Sequence, residues 1–561
     1  MIEGPTASRG FWCARKLPRM ALPALMLFLA GWGLWAILLD RQPTFSDSVL
    51  GDSDELYRAL RLGEPTLRDW LEHTGYRPFL TYLPASLCYL LTGPSLAVLR
   101  VIMLLQHLGA VFVAFSIGRR LAGRRAGLLA AVMLGTFPLV FGWGRMAYVD
   151  TGLGLMVLVG LRVLLDGDLS RTRTRVGLGL AVGLGALTKV AYPIFAIGPL
   201  LWTVGLKLRS LRQLVGLGLA AVVALAVAGW WYAANWSMVL ANLNMSTGTQ
   251  RVGGVGASLP HRLLAALPEL QVKLACYTTA IDGGVWMLAL AAVGTVAAWR
   301  LRTVRGQALL LLTLTLWLSF AVVLLFDEAR RYVLPVYMVA AVLAGLTTQS
   351  VVDRIGGRRM GQLTLGVLAT CLLGLFVAFN LGLPVYTPPG GAFLVAGPRV
   401  DGVGLLTPDR RPLTTYPAVI RAVQARHTSC LMVFAGPELQ ERQLFRDLCW
   451  RIQGGSPSPL MDDLRGYRAE HPAGKPVCVV EVTGDHQPGW HEPQFEAGTY
   501  TLCVSHGWFD GLRPRARALG RWGPSPIGLR YALFELPPDA LDRVVPPSQC
   551  RLRQVGWDRS R

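Results

Sequence analysis

Apolar runs about 20 residues long recur between residues 21 and 383, and short joints rich in arginine separate them. This feature constrains the chain most. A helix rises 1.5 Å per residue, so a run of this length crosses the roughly 30 Å of hydrocarbon in a bilayer. Hydrocarbon offers no partner to backbone N–H and C=O groups, so a spanning segment must satisfy them itself as a helix or join a closed barrel. The runs are continuous, not alternating, which selects helices. Charged residues make up only 16% of the 561 positions, against 52% hydrophobic ones; a soluble domain usually carries about a quarter charged. The reading is an α-helical polytopic membrane protein with about eleven transmembrane helices.

The net charge of +21 does not point to nucleic acid, because no binding motif accompanies it. Much of the arginine sits in joints such as Arg119, Arg120, Arg124 and Arg125, and Arg171, Arg173 and Arg175. These joints fall on one side of the predicted membrane, which the positive-inside rule makes the cytoplasm. Residues 1–20 carry Arg9, Arg15, Lys16 and Arg19 and lead into an apolar run over 21–39. No small-residue cleavage site follows, so this run reads as an uncleaved first span with a cytoplasmic N-terminus. The transmembrane domain covers 21–384 and includes an outer loop over 41–94. Its spans fall near 95–117, 127–143, 176–187, 192–206, 214–233, 308–326 and 363–383, among others. Gly177, Gly179, Gly183 and Gly185 permit close helix packing.

After residue 384 the pattern changes to short apolar runs between Pro- and Gly-rich joints, at 430–435, 477–482, 499–504 and 531–536, with a helical stretch over 437–453. Residues 385–561 therefore read as a small C-terminal extracytoplasmic α/β domain. Cys430, Cys449, Cys478, Cys503 and Cys550 lie in a compartment that permits disulfides, and pairing or burial as thiols both stay open. None of the nine cysteines forms a CxxC pair, so the chain carries no such metal or redox signature.

The polar residues on the outer side hold the chemistry. Four acidic residues crowd Asp47 to Glu55, and Tyr57 follows Asp54 by one helical turn. A carboxylate at the membrane–water boundary can act as general base toward a hydroxyl, although the first turn of a helix favours acidic residues anyway. Arg77 stands before Pro78; Arg145 and Asp150 share the next outer turn; Lys189 follows a glycine-rich span; Arg330, Arg331 and Tyr332 follow a later one. Basic residues on the translocated side oppose the orientation signal, and holding an anionic lipid head group is the job that suits them. Blander roles stand beside each: Arg77 as an interfacial anchor, Asp150 as a helix cap, Lys189 snorkelling, and Arg330 and Arg331 paired with Asp327 and Glu328.

In this order and sidedness the motifs resemble the GT-C membrane glycosyltransferases. The residues that carry the resemblance are Asp54-Glu55-x-Tyr57, Arg77-Pro78, the arginine-rich joint 118–127 leading to Arg145 and Asp150, Gly183–Lys189, and Arg331-Tyr332-Val333-Leu334-Pro335. The branch they are most similar to is that of protein O-mannosyltransferases and aminoarabinose transferases. It implies a GT-C fold over roughly 20–350, Asp54 as catalytic base with Glu55 beside it, and Asp150 as a second essential acid. It further implies Arg77, Lys189 and Arg331 as ligands of a polyprenyl-phosphate sugar donor. Tyr76 replaces the glutamate of the aminoarabinose branch, so no metal ligand is carried over; no cofactor is assigned, and a divalent cation is left open. The expected activity is sugar transfer from polyprenyl phosphate to an acceptor hydroxyl at the outer face of the cytoplasmic membrane. The acceptor, whether glycan, lipid or protein, stays open and is expected to meet the loop over 235–282 and the C-terminal domain. A transporter or flippase for lipid-linked sugars and another enzyme using a lipid phosphate are the alternatives. Asn235-Trp236-Ser237 and Asn244-Met245-Ser246 match the glycosylation pattern.

Overall fold

The computed structural model describes residues 11–39, 50–63, 66–72, 77–145, 147–165, 168–207, 210–246, 284–300, 311–321, 333–355, 358–381, 415–426, 430–434, 460–461, 474–483, 511–523 and 530–543. Helices dominate up to residue 381: α1 (Phe11–Leu39), α2 (Leu50–Leu62), α3 (Leu67–Glu72), α4 (Leu83–Thr92), α5 (Leu96–Ala122), α6 (Arg124–Thr136), α7 (Pro138–Gly144) and α8 (Asp150–Leu164). They continue as α9 (Thr172–Ala186), α10 (Tyr192–Lys207), α11 (Leu211–Ser246), α12 (Gly284–Arg300), α13 (Leu311–Ala321), α14 (Leu334–Ile355) and α15 (Arg358–Leu381). Among the described residues, four helical segments are long and apolar enough to cross a membrane: Met20–Leu39, Leu96–Ala122, Leu211–Leu240 and Leu334–Arg354. Several shorter apolar helices accompany them. The chain is a multi-pass membrane protein with a small strand region at its C-terminal end.

α14 is the centre of the bundle. Val333 to Ala344 are buried without interruption, which no solvent-facing helix would allow. It packs against α5, α6, α8 and α12. α11 shows the opposite pattern. Leu211, Val215, Leu219, Val222 and Leu225 recur every three or four residues and are all exposed, forming an apolar stripe suited to lipid.

Glycine sets two close contacts. α5 and α6 meet across a tight joint where Gly123 takes φ +88°. A Cβ on Gly127 would stand 2.6 Å from the Phe115 carbonyl oxygen, so only glycine permits that approach. On α9, a Cβ on Gly179 would stand 2.5 Å from the Ala220 oxygen, and one on Gly183 would stand 2.8 Å from Val227 Cβ. These two glycines seat α11, as the sequence pattern predicts. Gly177 meets only Val163 at ordinary contact distance.

The structure moves some predicted boundaries. The span near 127–143 is two helices, because Pro138 opens α7 after Phe137 leaves helical geometry. The span near 214–233 does not end before Asn235. The chain bends there, at φ −108° and ψ 15°, and continues as helix to Ser246, so the loop expected from 235 begins later. Asn235 is 1% exposed, and its amide donates to the carbonyls of Leu71 and Trp231 at 3.0 and 3.1 Å. That side chain repairs the bend and ties α3 to α11. It is not a surface acceptor.

In the C-terminal region α16 (Thr415–Gln424) accompanies β1 (Cys430–Phe434), β2 (Leu460–Met461), β3 (Val477–Thr483), β4 (Arg517–Trp522) and β5 (Arg530–Leu536). They form one sheet in the order β2-β1-β3-β5-β4, parallel among the first three strands and antiparallel for the rest. The runs predicted at 430–435, 477–482 and 531–536 are strands β1, β3 and β5. α16 and β4 are additions, while the helix predicted over 437–453 and the run at 499–504 lie outside the described residues. Cys430 and Cys478 form a disulfide between β1 and β3. Glu481, 3% exposed on the central strand, receives both terminal nitrogens of Arg513.

Candidate active site

The arginine joints gather at one end of the bundle. There Arg162 donates to Ser116 Oγ at 2.9 Å, and Arg120 and Arg175 donate to the carbonyls of Leu165 and Leu169. The opposite end carries α2 to α4, the first turn of α8 and the turn between α9 and α10. That end is the candidate site.

α2 rests on the bundle through Ser53, Leu56, Tyr57 and Ala59, all buried. Ser86 Oγ on α4 donates to the Ser53 carbonyl at 2.9 Å, and the Tyr57 ring meets Tyr89 edge-on at 6.1 Å. Arg61 donates to the Tyr57 hydroxyl and lies over its ring. Tyr57 is thus a packing residue that holds α2 down. Asp52, in the first turn, accepts from Arg77 Nη1 at 3.0 Å, and both side chains are mostly buried, at 27% and 21% exposure. Glu55 is exposed on the same helix. Asp54 belongs to α2 by its backbone, and its side chain lies outside the described residues.

Residues 77–82 stitch α2 to the rest of the site. The Tyr82 hydroxyl donates to the Arg77 carbonyl at 3.3 Å. Burial pushes the Tyr82 phenol well above its ordinary pKa, and the Asp52 carboxylate adds to the rise while Arg77 opposes it. Leu80 N–H donates to the Leu187 carbonyl at 3.1 Å, and Thr81 Oγ1 to the Thr188 carbonyl at 3.3 Å. Gln106 Nε2, from α5, donates to the Thr81 carbonyl at 3.0 Å. Segments 107 residues apart in sequence therefore share one hydrogen-bonded joint.

Lys189 follows that joint directly. Its Nζ donates to Asp150 Oδ1 at 2.7 Å, with the two side chains 18% and 2% exposed. Asp150 is the first helical residue of α8; the cap position is Val149, which makes no side-chain capping bond. The carboxylate thus serves the lysine, which replaces both the capping and the snorkelling roles considered from sequence. Arg77 likewise pairs with a specific carboxylate, Asp52. Arg145 is fully buried at the end of α7. Arg330, Arg331 and Tyr332 lie outside the described residues.

Sequence reasoning passed over three residues here. Asp52 was one acid among four, and nothing local marked it as the partner of Arg77. Arg100 is 1% exposed one turn into the apolar helix α5, and an ionisable residue inside a span is itself a signal. Gln106 gave no signal, because its role depends on a contact with residue 81. Among the described residues no group of three His, Cys, Asp or Glu side chains could hold a metal ion.

Residues 76–232 match the family described as dolichyl-phosphate-mannose-protein mannosyltransferase. ArnT from Cupriavidus metallidurans in its apo state shares the fold, with a TM-score of 0.54, 16% identity, and coverage of 93% of this chain and 98% of that one. This chain has the fold of ArnT, and its residues 76–232 resemble the mannosyltransferase family. The structure of ArnT from the same organism bound to undecaprenyl phosphate aligns similarly, at a TM-score of 0.53 and 15% identity over 92% and 98% of the two chains. No curated protein matches the sequence. The segment that matches the mannosyltransferase family contains Arg77, Arg145, Asp150 and Lys189. Asp54, Glu55 and residues 330–332 fall outside it.

Proposed function

We propose that this chain moves a sugar from a polyprenyl-phosphate donor to an acceptor hydroxyl at the outer face of the cytoplasmic membrane. The supporting observation is convergence. Arg77 and Lys189, far apart in sequence, are carried by segments that hydrogen-bond to each other beside the first turn of α8. Two cations so placed suit the charge of a leaving phosphate. Undecaprenyl phosphate is bound in ArnT from Cupriavidus metallidurans, which has the same fold.

In this reading Asp54 takes the proton of the acceptor hydroxyl as that oxygen forms its bond to the anomeric carbon. The bond from that carbon to the phosphate oxygen breaks, and the electron pair leaves with the phosphate. Arg77, Lys189 and Arg331 hold the charge that results, and Asp150 orients Lys189. Phosphate is a good leaving group once its charge is held, so no acid need protonate it. A single displacement inverts the anomeric centre.

The test is label transfer from radiolabelled polyprenyl-phosphate sugars in membranes holding the wild type or Asp54→Asn. The variant keeps the shape of the side chain and should insert normally, yet transfer should fall by roughly 100- to 10,000-fold. Equal transfer by both would remove Asp54 from the role of base, and a product that retains the donor's configuration would exclude the single displacement.

A further inference from the structure

Gln106 has no place in the chemistry above, yet it sits where three parts of the site meet. Its Nε2 donates to the Thr81 carbonyl at 3.0 Å, and Thr81 Oγ1 donates to the Thr188 carbonyl. On its other side is Gly152, in the first turn of α8. A Cβ at Gly152 would stand 2.7 Å from Gln106 Oε1, and 3.2 Å from both Thr188 Cγ2 and Thr81 Oγ1. Two of those distances lie at the edge of tolerated contact, and the Oε1 distance lies inside it. The absence of a side chain at Gly152 is what lets α5, α8, residues 77–82 and the α9–α10 turn close on one another.

We infer that Gln106, seated on Gly152, is a positioning residue that sets the separation between Arg77 and Lys189 for one phosphate. Arg77 lies four residues before Thr81, and Lys189 directly follows Thr188, so both cations hang from the hydrogen bonds that Gln106 braces. Asp150, two residues before Gly152, places its carboxylate on Lys189 from the same turn of α8. A shift at Gly152 therefore moves the lysine and its counter-ion as well as the arginine loop. Phosphate rewards this spacing because a guanidinium and an ammonium must reach different oxygens of one small anion. The role rests on the reading of Arg77 and Lys189 as phosphate ligands.

Binding of undecaprenyl phosphate by the full-length protein in detergent tests it, with wild type, Gln106→Ala, Gly152→Ala and the double variant side by side, and melting temperature recorded for each. Losing the brace should weaken binding by roughly five- to tenfold in Gln106→Ala, about what one hydrogen bond contributes. Gly152→Ala should weaken it at least as much, because its methyl group forces Gln106 away. The double variant should lose less than the two single losses combined, since the nearest atom that the methyl would strike is gone and only the 3.2 Å contacts with Thr81 and Thr188 remain; such non-additivity is the mark of direct contact. If Gly152→Ala does not fold, Gln106→Ala still decides: unchanged binding overturns the positioning role. Additive losses in the double variant overturn the shared joint. If wild type does not bind undecaprenyl phosphate at all, the phosphate reading itself fails and takes the inference with it.

Discussion

Asp150 and Lys189 show how a charged pair is kept inside an apolar bundle. The carboxylate is 2% exposed and the lysine 18%, so neither can rely on water, and each makes the other tolerable at 2.7 Å. Removing one partner leaves a buried charge uncompensated, which costs about 3–5 kcal/mol, whereas removing both often costs little. Lys189→Met should therefore lower the melting temperature sharply, and Asp150→Asn with Lys189→Met should recover most of the loss. Transfer should stay abolished in the double variant, because the phosphate has lost a cation. Recovery of transfer along with stability would show that the pair is structural only. Asp52 and Arg77 are more exposed, at 27% and 21%, and the same cycle there should give a smaller stability effect.

At the scale of elements the C-terminal sheet offers a clean test. Cys430 and Cys478 join neighbouring parallel strands and close a loop across 48 positions of sequence. Such a cross-link restricts the unfolded chain and contributes about 3–4 kcal/mol in the chain-entropy account. Cys430→Ser should lower the unfolding temperature of this region, read by proteolysis or hydrogen exchange, and reductant should have the same effect on wild type only. A resistance to proteolysis that neither treatment changes would mean the sheet does not depend on the bridge. Which cysteines pair was not legible in the sequence, since spacing alone leaves the partners open; adjacency of β1 and β3 in the sheet decides it. The strands themselves were legible where apolar runs are continuous, as in Val477–Thr483. β4, Arg517–Trp522, was not, because an edge strand carrying Arg517 and Arg521 lacks that pattern. The pair of helices joined at Lys189 could be read from hydropathy and glycine spacing, whereas the continuation of α11 past Asn235 depends on a hydrogen bond to Leu71. In the candidate site, Arg77 and Lys189 stood out as basic residues on the side predicted to be translocated, and Asp150 as an acid sharing a turn with Arg145. Their partners did not, because partnership is a property of the fold.

For the whole molecule, two independent features support one proposed orientation. Arginines gather at one end of the bundle, as Arg119, Arg120, Arg124 and Arg171 do at the ends of α5, α6 and α9. The paired carboxylates and cations occupy the other end. The C-terminal sheet carries a disulfide, which persists in an oxidising compartment and rarely in the cytosol. The positive-inside rule predicts that the first end faces the cytoplasm, and the disulfide supports the proposal that the sheet lies outside it. A polyprenyl-phosphate donor presented at the outer leaflet would then meet Arg77 and Lys189 without the sugar recrossing the membrane. Single cysteines introduced at Thr66, beside α3, and at Ser170, between α8 and α9, in a background where Cys13, Cys88, Cys276, Cys371, Cys449, Cys503 and Cys550 are serine and the Cys430–Cys478 disulfide is kept, report the two ends. A membrane-impermeant maleimide should label position 66 in intact spheroplasts and position 170 only after permeabilisation. The reverse pattern would put the candidate site in the cytoplasm, where the donor would have to be supplied from the inner leaflet. Labelling of both positions in intact cells would break the two-ended arrangement itself.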